Sequence, residues 1–291
     1  MITRFAPAPT GYLHLGHVAN ALFVWGVAEA RGARVLLRIE DHDRQRCRPE
    51  FEAALLEDLA WLGFAPDPAF GPPLRQSDHP ERYETAVEEL RRRGHHVYAC
   101  DCSRKDLALV AGDAPDRETP YSGRCRERGL EPGPGLGLRV VLAGEEERFD
   151  DLALGPQAQA PAAQCGDLLL RDRLGNWTYQ FSVVVDDLLQ GVDLVVRGVD
   201  LLESTGRQIA LARMLGRAIP PTFLHHPLIR RPGGEKLSKA SRDTAIRELR
   251  AAGASPEALF GRVLFNLGAS VPESIGRGAA ASRLCRILTI S

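Results

Sequence analysis

The sequence predicts an α/β fold built on a parallel sheet, and three observations carry that prediction. The first forty residues read strand, helix, strand; a helix–strand alternation returns between Tyr179 and Leu224; and a Cys-, Gly- and Pro-rich stretch separates the two runs as an insertion would. A β-α-β order implies a right-handed crossover between parallel strands, with ligands expected outside their carboxyl ends.

Ile2 to Phe5 is a short apolar strand. From Gly16 to Arg31 apolar residues recur at Val18, Leu22, Trp25 and Ala28, the spacing of a helix that Gly32 stops. Val35 to Ile39 reads as a buried strand ending in the charged cluster Glu40-Asp41-His42-Asp43. Helices are expected at 49–62, opening on Pro49 in a first-turn position, and at 79–93. From His95 to Glu131 the apolar content is too low for an independent core, so something else must hold the segment. Gly144 to Gln164 lacks periodicity and is expected to be loop. A helix at Tyr179–Leu189, a strand at Leu194–Arg197, a helix at Leu202–Leu215 and a short strand around Leu224 resume the alternation, and Gly233-Gly234 opens a lysine-bearing loop. Ser255–Leu267 is the last helix the pattern supports. Pro272 to Ser291 is small-residue and Arg-rich with no packing pattern before Leu284, and reads as disordered or as a divergent end.

With 291 residues, 44% hydrophobic and 26% charged, the composition is that of a globular chain with one catalytic domain and insertions, or two domains. No signal-peptide pattern follows Met1 and no apolar run reaches the ~20 residues of a membrane helix, so a cytoplasmic location without a membrane partner is expected. Six cysteines at 47, 100, 102, 125, 165 and 285 are too few and too uneven for a disulfide framework. A net charge of −1 gives no global sign of a polyanionic partner, yet residues 205–250 carry ten Lys and Arg against three acids. That stretch is either a phosphate-facing surface or a set of solvated helix faces.

Two motifs carry the chemistry. His14-Leu15-Gly16-His17 follows Pro7, Pro9 and Gly11 and opens the first helix, where imidazoles can donate hydrogen bonds to a phosphate at a helix N-terminus. Gly16 lets a nucleotide base approach the backbone. Lys236-Leu237-Ser238-Lys239-Ala240 places two lysines in a loop able to clamp a triphosphate while charge shifts. Surface histidines or ordinary loop lysines would explain either motif alone; the ordered pair points to an ATP-splitting site.

Arg4-Phe5-Ala6-Pro7-Ala8-Pro9-Thr10-Gly11, the two histidines, Arg38-Ile39-Glu40-Asp41, Arg197-Gly198-Val199-Asp200 and the lysine motif together resemble the glutamyl-tRNA synthetase family of class I aminoacyl-tRNA synthetases, in order from residue 4 to about 240. The resemblance implies a Rossmann-like catalytic domain that activates L-glutamate with ATP and Mg2+. It assigns catalysis to His14, His17, Lys236 and Lys239, and ATP binding to His14, Gly16, His17, Asp200 and Lys239. It places Arg4 and Arg197 on the glutamate side-chain carboxylate, Glu40 on the ammonium, and Tyr179 with Phe5, Ala6, Pro7 and Ala8 around them. A planar guanidinium suits a carboxylate, and two of them favour glutamate over glutamine, whose amide brings its own donors. Where the family carries Ser, this chain has Ala8, so a hydroxyl contact to glutamate is lost.

Only about fifty residues follow the lysine loop, too few for the family's anticodon-binding domain, which resembles the family's queuosine-modifying branch. That branch implies transfer of glutamate to queuosine at the wobble position of tRNA(Asp). Cys100, Cys102, Tyr121 and Cys125 resemble its structural Zn2+ site; thiolates suit zinc, while from chemistry alone His95 or His96 competes with tyrosine for the fourth place. The implied organisation is a first catalytic half at 1–94, an inserted zinc-binding module at 95–165, a second catalytic half with the lysine loop at 166–240, and a short helical C-terminal segment at 241–291. Two other readings stay open: a different HxGH nucleotidyltransferase, for which Glu40, Tyr179 and Arg197 have no evident task, and a tRNA-binding module without catalysis, against which the intact histidines and lysines count.

Overall fold

The computed structural model describes residues 1–42, 46–103, 106, 120–142, 144, 146–229, 244–269 and 272–288, so the lysine motif at 236–240 lies outside the described residues. β1 (Ile2–Phe5) and β2 (Arg34–Ile39) are parallel, with Ile2 opposite Arg34, and α1 (Leu15–Arg31) forms the crossover between them. β3 (Leu74–Arg75) extends the pair beyond β2. On the other side of β1 runs β9 (Leu194–Gly198), joined where the Asp193 N–H donates to the Ile2 carbonyl at 3.0 Å and the Ile2 N–H to the Asp193 carboxylate at 2.6 Å. β10 (Thr222–His226) pairs in parallel with β9 over its full length. The expected α/β architecture with a parallel sheet is therefore present.

Residues 144–164 are not a loop. They hold β6 (Glu147–Asp151), parallel to β10, then β7 (Gly155–Gln159), antiparallel to β6, and the short α4 (Pro161–Cys165). Strand alternation exists in β6, but the inward positions are Glu147, Phe149 and Asp151, so two acids conceal it from a hydrophobicity reading. Hydrogen-bond partners explain both: Arg213 reaches Glu147 at 2.8 Å, and Asp151 accepts from the Ala153 and Leu154 amides.

α2 (Pro49–Trp61) and α3 (Glu81–Arg92) stand where the periodicity predicts them. β4 (Val97–Cys100), β5 (Gly137–Val140) and β8 (Leu168–Arg171) form a separate antiparallel sheet that carries the cysteine segment. α5 (Tyr179–Leu189) precedes β9 as expected, whereas the helix anticipated from Leu202 is split into a 3-10 turn at Val199–Ser204 and α6 (Thr205–Met214).

The C-terminal stretch also holds regular structure up to Ile287. After α7 (Ile246–Ala251) and α8 (Pro256–Asn266) comes α9 (Arg277–Ile287), which buries Ala280, Ala281, Leu284 and Cys285. Its contact with α1 is close: a Cβ at Gly26 would stand 2.9 Å from the Ala281 Cβ. Packing by alanine against glycine gives almost no hydropathy signal, which is why the pattern was invisible before Leu284. Covered by sheet and helices together, α1 has Leu22, Phe23, Val24 and Val27 fully buried.

Asp58 of α2 is buried, and its Oδ2 has no hydrogen-bond partner among the described residues. Burial pushes its carboxyl up to about 6, although Arg250 and Arg247 pull the other way. A folded-state value above the unfolded one means that the ionised form is penalised above that range and that stability is regained as pH falls. Asp58→Asn is accordingly expected to stabilise the fold at pH 8 by on the order of 1–3 kcal/mol and to lose that advantage at pH 4, read by thermal denaturation. An unchanged melting temperature at pH 8 would contradict this.

Candidate active site

A cavity of about 460 Å³ opens where β1, β2, β9 and β10 end, as the parallel topology requires. His14 and His17 stand at its helix side. His14 is the N-cap of α1: its Nδ1 accepts from the Gly16 N–H at 3.1 Å, while His17 Nδ1 accepts from the His14 N–H at 3.1 Å. These two bonds satisfy amides at the helix mouth, and a neutral ring that accepts on Nδ1 carries its proton on Nε2. Both imidazoles are thereby donors on the same atom, with ring centroids 4.0 Å apart. At Gly16 a Cβ would stand 2.9 Å from His14 Cε1, so the glycine makes room for the folded-back ring as well as for a ligand.

On the opposite side the cavity is lined by Arg4, Glu40, Tyr179 and Arg197, with Ala6 between them and Asp200 above β9. At Gly198 a Cβ would lie 2.5 Å from Asp200 Oδ1, so any larger residue would push that carboxylate aside. Three residues expected around glutamate do not line the cavity. Phe5 points into the core against Trp25, with ring centroids 5.4 Å apart. Pro7 is buried and presents its carbonyl to the Glu40 N–H at 3.1 Å. Ala8 likewise lies outside the lining and offers its carbonyl to the Thr10 N–H at 2.8 Å.

The charges form two differently built halves. Arg4 Nε donates to Asp187 at 3.1 Å, and Asp187 also accepts from Arg38 at 2.7 Å. Arg38 reaches Glu40 at 3.0 Å, so a continuous chain Arg4–Asp187–Arg38–Glu40 runs beneath the cavity. Burial alone would lower the Arg38 guanidinium, but Asp187, Glu40 and Asp186 more than offset it and hold it above its ordinary value. Burial alone would raise the Asp187 carboxyl, yet Arg4 and Arg38 hold it below the usual range.

Arg197, 4% exposed, is built otherwise. Nε donates to His225 Nε2 at 3.0 Å, Nη1 to Gln208 at 2.6 Å and Nη2 to Thr205 at 2.8 Å, all neutral acceptors. Burial pushes it below the ordinary guanidinium value, with Tyr179 pulling the other way and Arg4 adding to the lowering. A buried cation oriented by neutral groups is an anion site, because a carboxylate would relieve its desolvation.

Sequence reasoning missed Asn20, Arg46 and His226 in the lining. His226 stacks on Phe23 at 4.4 Å and 9°, and burial pushes its imidazole down to about 4. Its Nδ1 faces the Pro227 carbonyl at 2.9 Å and its Nε2 the Asn20 Oδ1 at 3.0 Å. A neutral ring satisfies both when Nδ1 donates and the Asn20 amide turns its NH2 to Nε2. The adjacent His225-His226 pair following Leu224 was the available signal.

Away from the cavity, the thiols of Cys100, Cys102 and Cys125 lie within 4.8 Å of one another, with Cys102 and Cys125 at 3.6 Å. The Tyr121 hydroxyl stands 3.5 Å from Cys100 Sγ and 3.9 Å from Cys102 Sγ. A tetrahedron with ~2.3 Å zinc–sulfur bonds has edges of about 3.8 Å, so the donor set has the size for a metal. His95 instead faces the Met214 carbonyl at 3.1 Å, and the His96 ring lies against Tyr98, centroids 5.3 Å apart. Among the described residues no helix is long and apolar enough to cross a membrane.

Residues 1–275 match the family described as tRNA synthetases class I (E and Q), catalytic domain. The glutamyl-Q tRNA(Asp) synthetase of Rhodobacter capsulatus is 44% identical over 278 residues, covering 88% of this chain and 97% of that protein. A glutamate–tRNA ligase of Oleidesulfovibrio alaskensis is 38% identical over 263 residues, 89% of this chain but 55% of its own length. The crystal structure of glutamate-tRNA synthetase from Elizabethkingia anophelis matches with a TM-score of 0.78 at 27% identity, over 97% of this chain and 65% of that one. With the histidine-capped helix and the paired-arginine cavity already in place, these likenesses lead to one conclusion: the chain belongs to the class I tRNA synthetases for glutamate and glutamine, in the branch of the glutamyl-Q tRNA(Asp) synthetases.

Proposed function

We propose that this chain activates L-glutamate with ATP to glutamyl-adenylate and transfers the glutamyl group to queuosine at the wobble position of tRNA(Asp). The observation that carries the amino-acid assignment is the buried Arg197 guanidinium held by neutral acceptors at the cavity wall, with Arg4 beside it and Glu40 in the same lining. Arg197 and Arg4 bind the side-chain carboxylate, Glu40 takes the ammonium, and Tyr179 closes the wall between them. The α-carboxylate then attacks the α-phosphorus of ATP and expels pyrophosphate.

His14 and His17 donate from Nε2 to the phosphate oxygens as negative charge grows there, and Gly16 and Asp200 flank the nucleotide. Lys236 and Lys239 hold the triphosphate, and Mg2+ arriving with ATP neutralises part of its charge. In the second step a queuosine hydroxyl attacks the mixed anhydride, its proton is lost, and AMP leaves. The acceptor assignment rests on the relatives' name; the 38% identity to a glutamate–tRNA ligase makes the tRNA 3′ end the second reading.

Glutamate-dependent ATP–pyrophosphate exchange tests the first step. Exchange with glutamate in the absence of tRNA, and far less with glutamine, is the expected result; a requirement for tRNA, or equal exchange with glutamine, would overturn it.

We assign the segment carried by β4, β5 and β8 the role of a structural zinc module, with Cys100, Cys102, Tyr121 and Cys125 as the ligands. Zinc would crosslink β4 to the turn at Tyr121–Cys125 in a segment with a small apolar cluster of its own. About one zinc per chain is expected by atomic absorption, falling to near zero in Cys102→Ser together with a lower melting temperature. Metal-free protein with unchanged melting would refute this assignment.

A further inference from the structure

The Arg197 guanidinium is oriented by an imidazole that is itself oriented by a carboxylate. His225 on β10 and Asp151 on β6 have fully buried side chains. Asp151 Oδ2 accepts from His225 Nδ1 at 2.6 Å and from the His225 backbone N–H at 3.0 Å, while Oδ1 is held by the Ala153 and Leu154 amides at 2.9 and 3.0 Å. The carboxylate is therefore fixed by backbone on both oxygens. His225 Nε2 faces the Arg197 Nε–H at 3.0 Å. Because a guanidinium can only donate, Nε2 must carry a lone pair, which places the proton on Nδ1 toward Asp151.

We propose that Asp151 and His225 are positioning residues for glutamate recognition: a neutral imidazole, locked in one tautomer by a buried carboxylate, aims Arg197 into the cavity without neutralising it. The inference rests on the glutamate reading above and deepens it. Arg4 shares its charge with Asp187, but the acid that supports Arg197 is held one imidazole away, so Arg197 keeps its charge for a substrate anion. Thr205 from α6 also approaches His225 Nε2 at 3.1 Å, Phe223 stacks on the ring at 6.0 Å, and Arg4 from β1 acts on it through its charge. Both cations oppose protonation of the ring. With burial as the larger cause, they keep its value below the ordinary imidazole range despite Asp151.

The device has a discriminating consequence. A carboxylate directly against Arg197 would compete with the substrate, whereas a protonated imidazole would turn a second donor toward Nε and displace the guanidinium. Only the neutral tautomer fixes the fork and leaves it charged, the condition under which a glutamate carboxylate is preferred to a glutamine amide.

The test is glutamate-dependent ATP–pyrophosphate exchange with His225→Leu, His225→Gln and Asp151→Asn, with KM for glutamate, KM for ATP and kcat measured separately and folding checked by thermal melting. His225→Leu removes the acceptor for Nε and is expected to raise the glutamate KM about ten- to hundredfold, with the ATP KM within about threefold. His225→Gln keeps an acceptor toward Arg197 and a donor toward Asp151 and should stay within about threefold of wild type. Asp151→Asn cannot accept from all its present donors and should raise the glutamate KM by an intermediate factor, which keeps the test valid if the leucine variant fails to fold. A folded His225→Leu or Asp151→Asn protein with the wild-type glutamate KM overturns the proposal, as does a parallel rise in both substrates' KM. Wild-type protein that does not exchange with glutamate overturns the glutamate reading itself, a different result from active wild type beside unaffected variants.

Discussion

Arg197→Ala is expected to raise the KM for glutamate by about two orders of magnitude or more while leaving that for ATP within a few-fold. Removing one member of a desolvated charge pair costs about 2–5 kcal/mol, because the remaining carboxylate loses both its partner and its water. Arg197 is buried with its plane fixed by three neutral side chains, and its loss leaves the substrate carboxylate only Arg4, whose charge is already shared with Asp187. Arg197→Lys should recover little, since a single ammonium cannot occupy positions set for a planar fork. Pyrophosphate exchange at varied glutamate and varied ATP checks the split; a glutamate KM within about threefold of wild type in the alanine variant would be the contrary result.

Arg38→Gln is expected to be the most destabilising single change in the catalytic half. The Arg38 side chain is 1% exposed and lies 2.7 Å from Asp187, 3.0 Å from Glu40 and 4.0 Å from Asp186. Its removal takes from buried Glu40 the cation it pairs with among the described residues and leaves Asp187 with Arg4 alone, a loss of about 3–5 kcal/mol, corresponding to a melting temperature lower by on the order of 10 °C. Glutamate binding should weaken as well, because Arg38 anchors Glu40 directly and Arg4 through Asp187. The Asp187 carboxyl is held low in the folded state, so its contribution is present above the ordinary carboxylate range and lost as pH falls through the folded value. Scanning calorimetry checks this; a variant melting within about 2 °C of wild type would contradict it.

Features written in local periodicity were legible. The strand at Ile2–Phe5, the helix after His14 and the strand at Val35–Ile39 follow from apolar spacing, and their β-α-β order placed the cavity at the strand ends. The histidine motif could be read because its capping partners lie within three residues of it. What escaped were elements whose inward residues are not hydrophobic. β6 turns two acids inward, and α9 packs on alanine against Gly26. The support of the cavity was hidden for a related reason, since Arg38 and Asp187 are separated by 149 residues and His225 and Asp151 by 74. No spacing rule joins residues brought together only by the order of strands in a sheet. Phe5 shows the converse: it belongs to a recognisable motif, but its strand position turns the ring to the core.

The proposed acceptor of the glutamyl group is a modified anticodon base. The direct measurement incubates the protein with labelled glutamate, ATP and either queuosine-containing or queuosine-free tRNA(Asp), then cleaves the tRNA and separates the anticodon fragment from the 3′ end. The predicted result is label on the anticodon fragment of the queuosine-containing tRNA and none on the queuosine-free form. Label at the 3′ end, or equal labelling of both tRNAs, would contradict it.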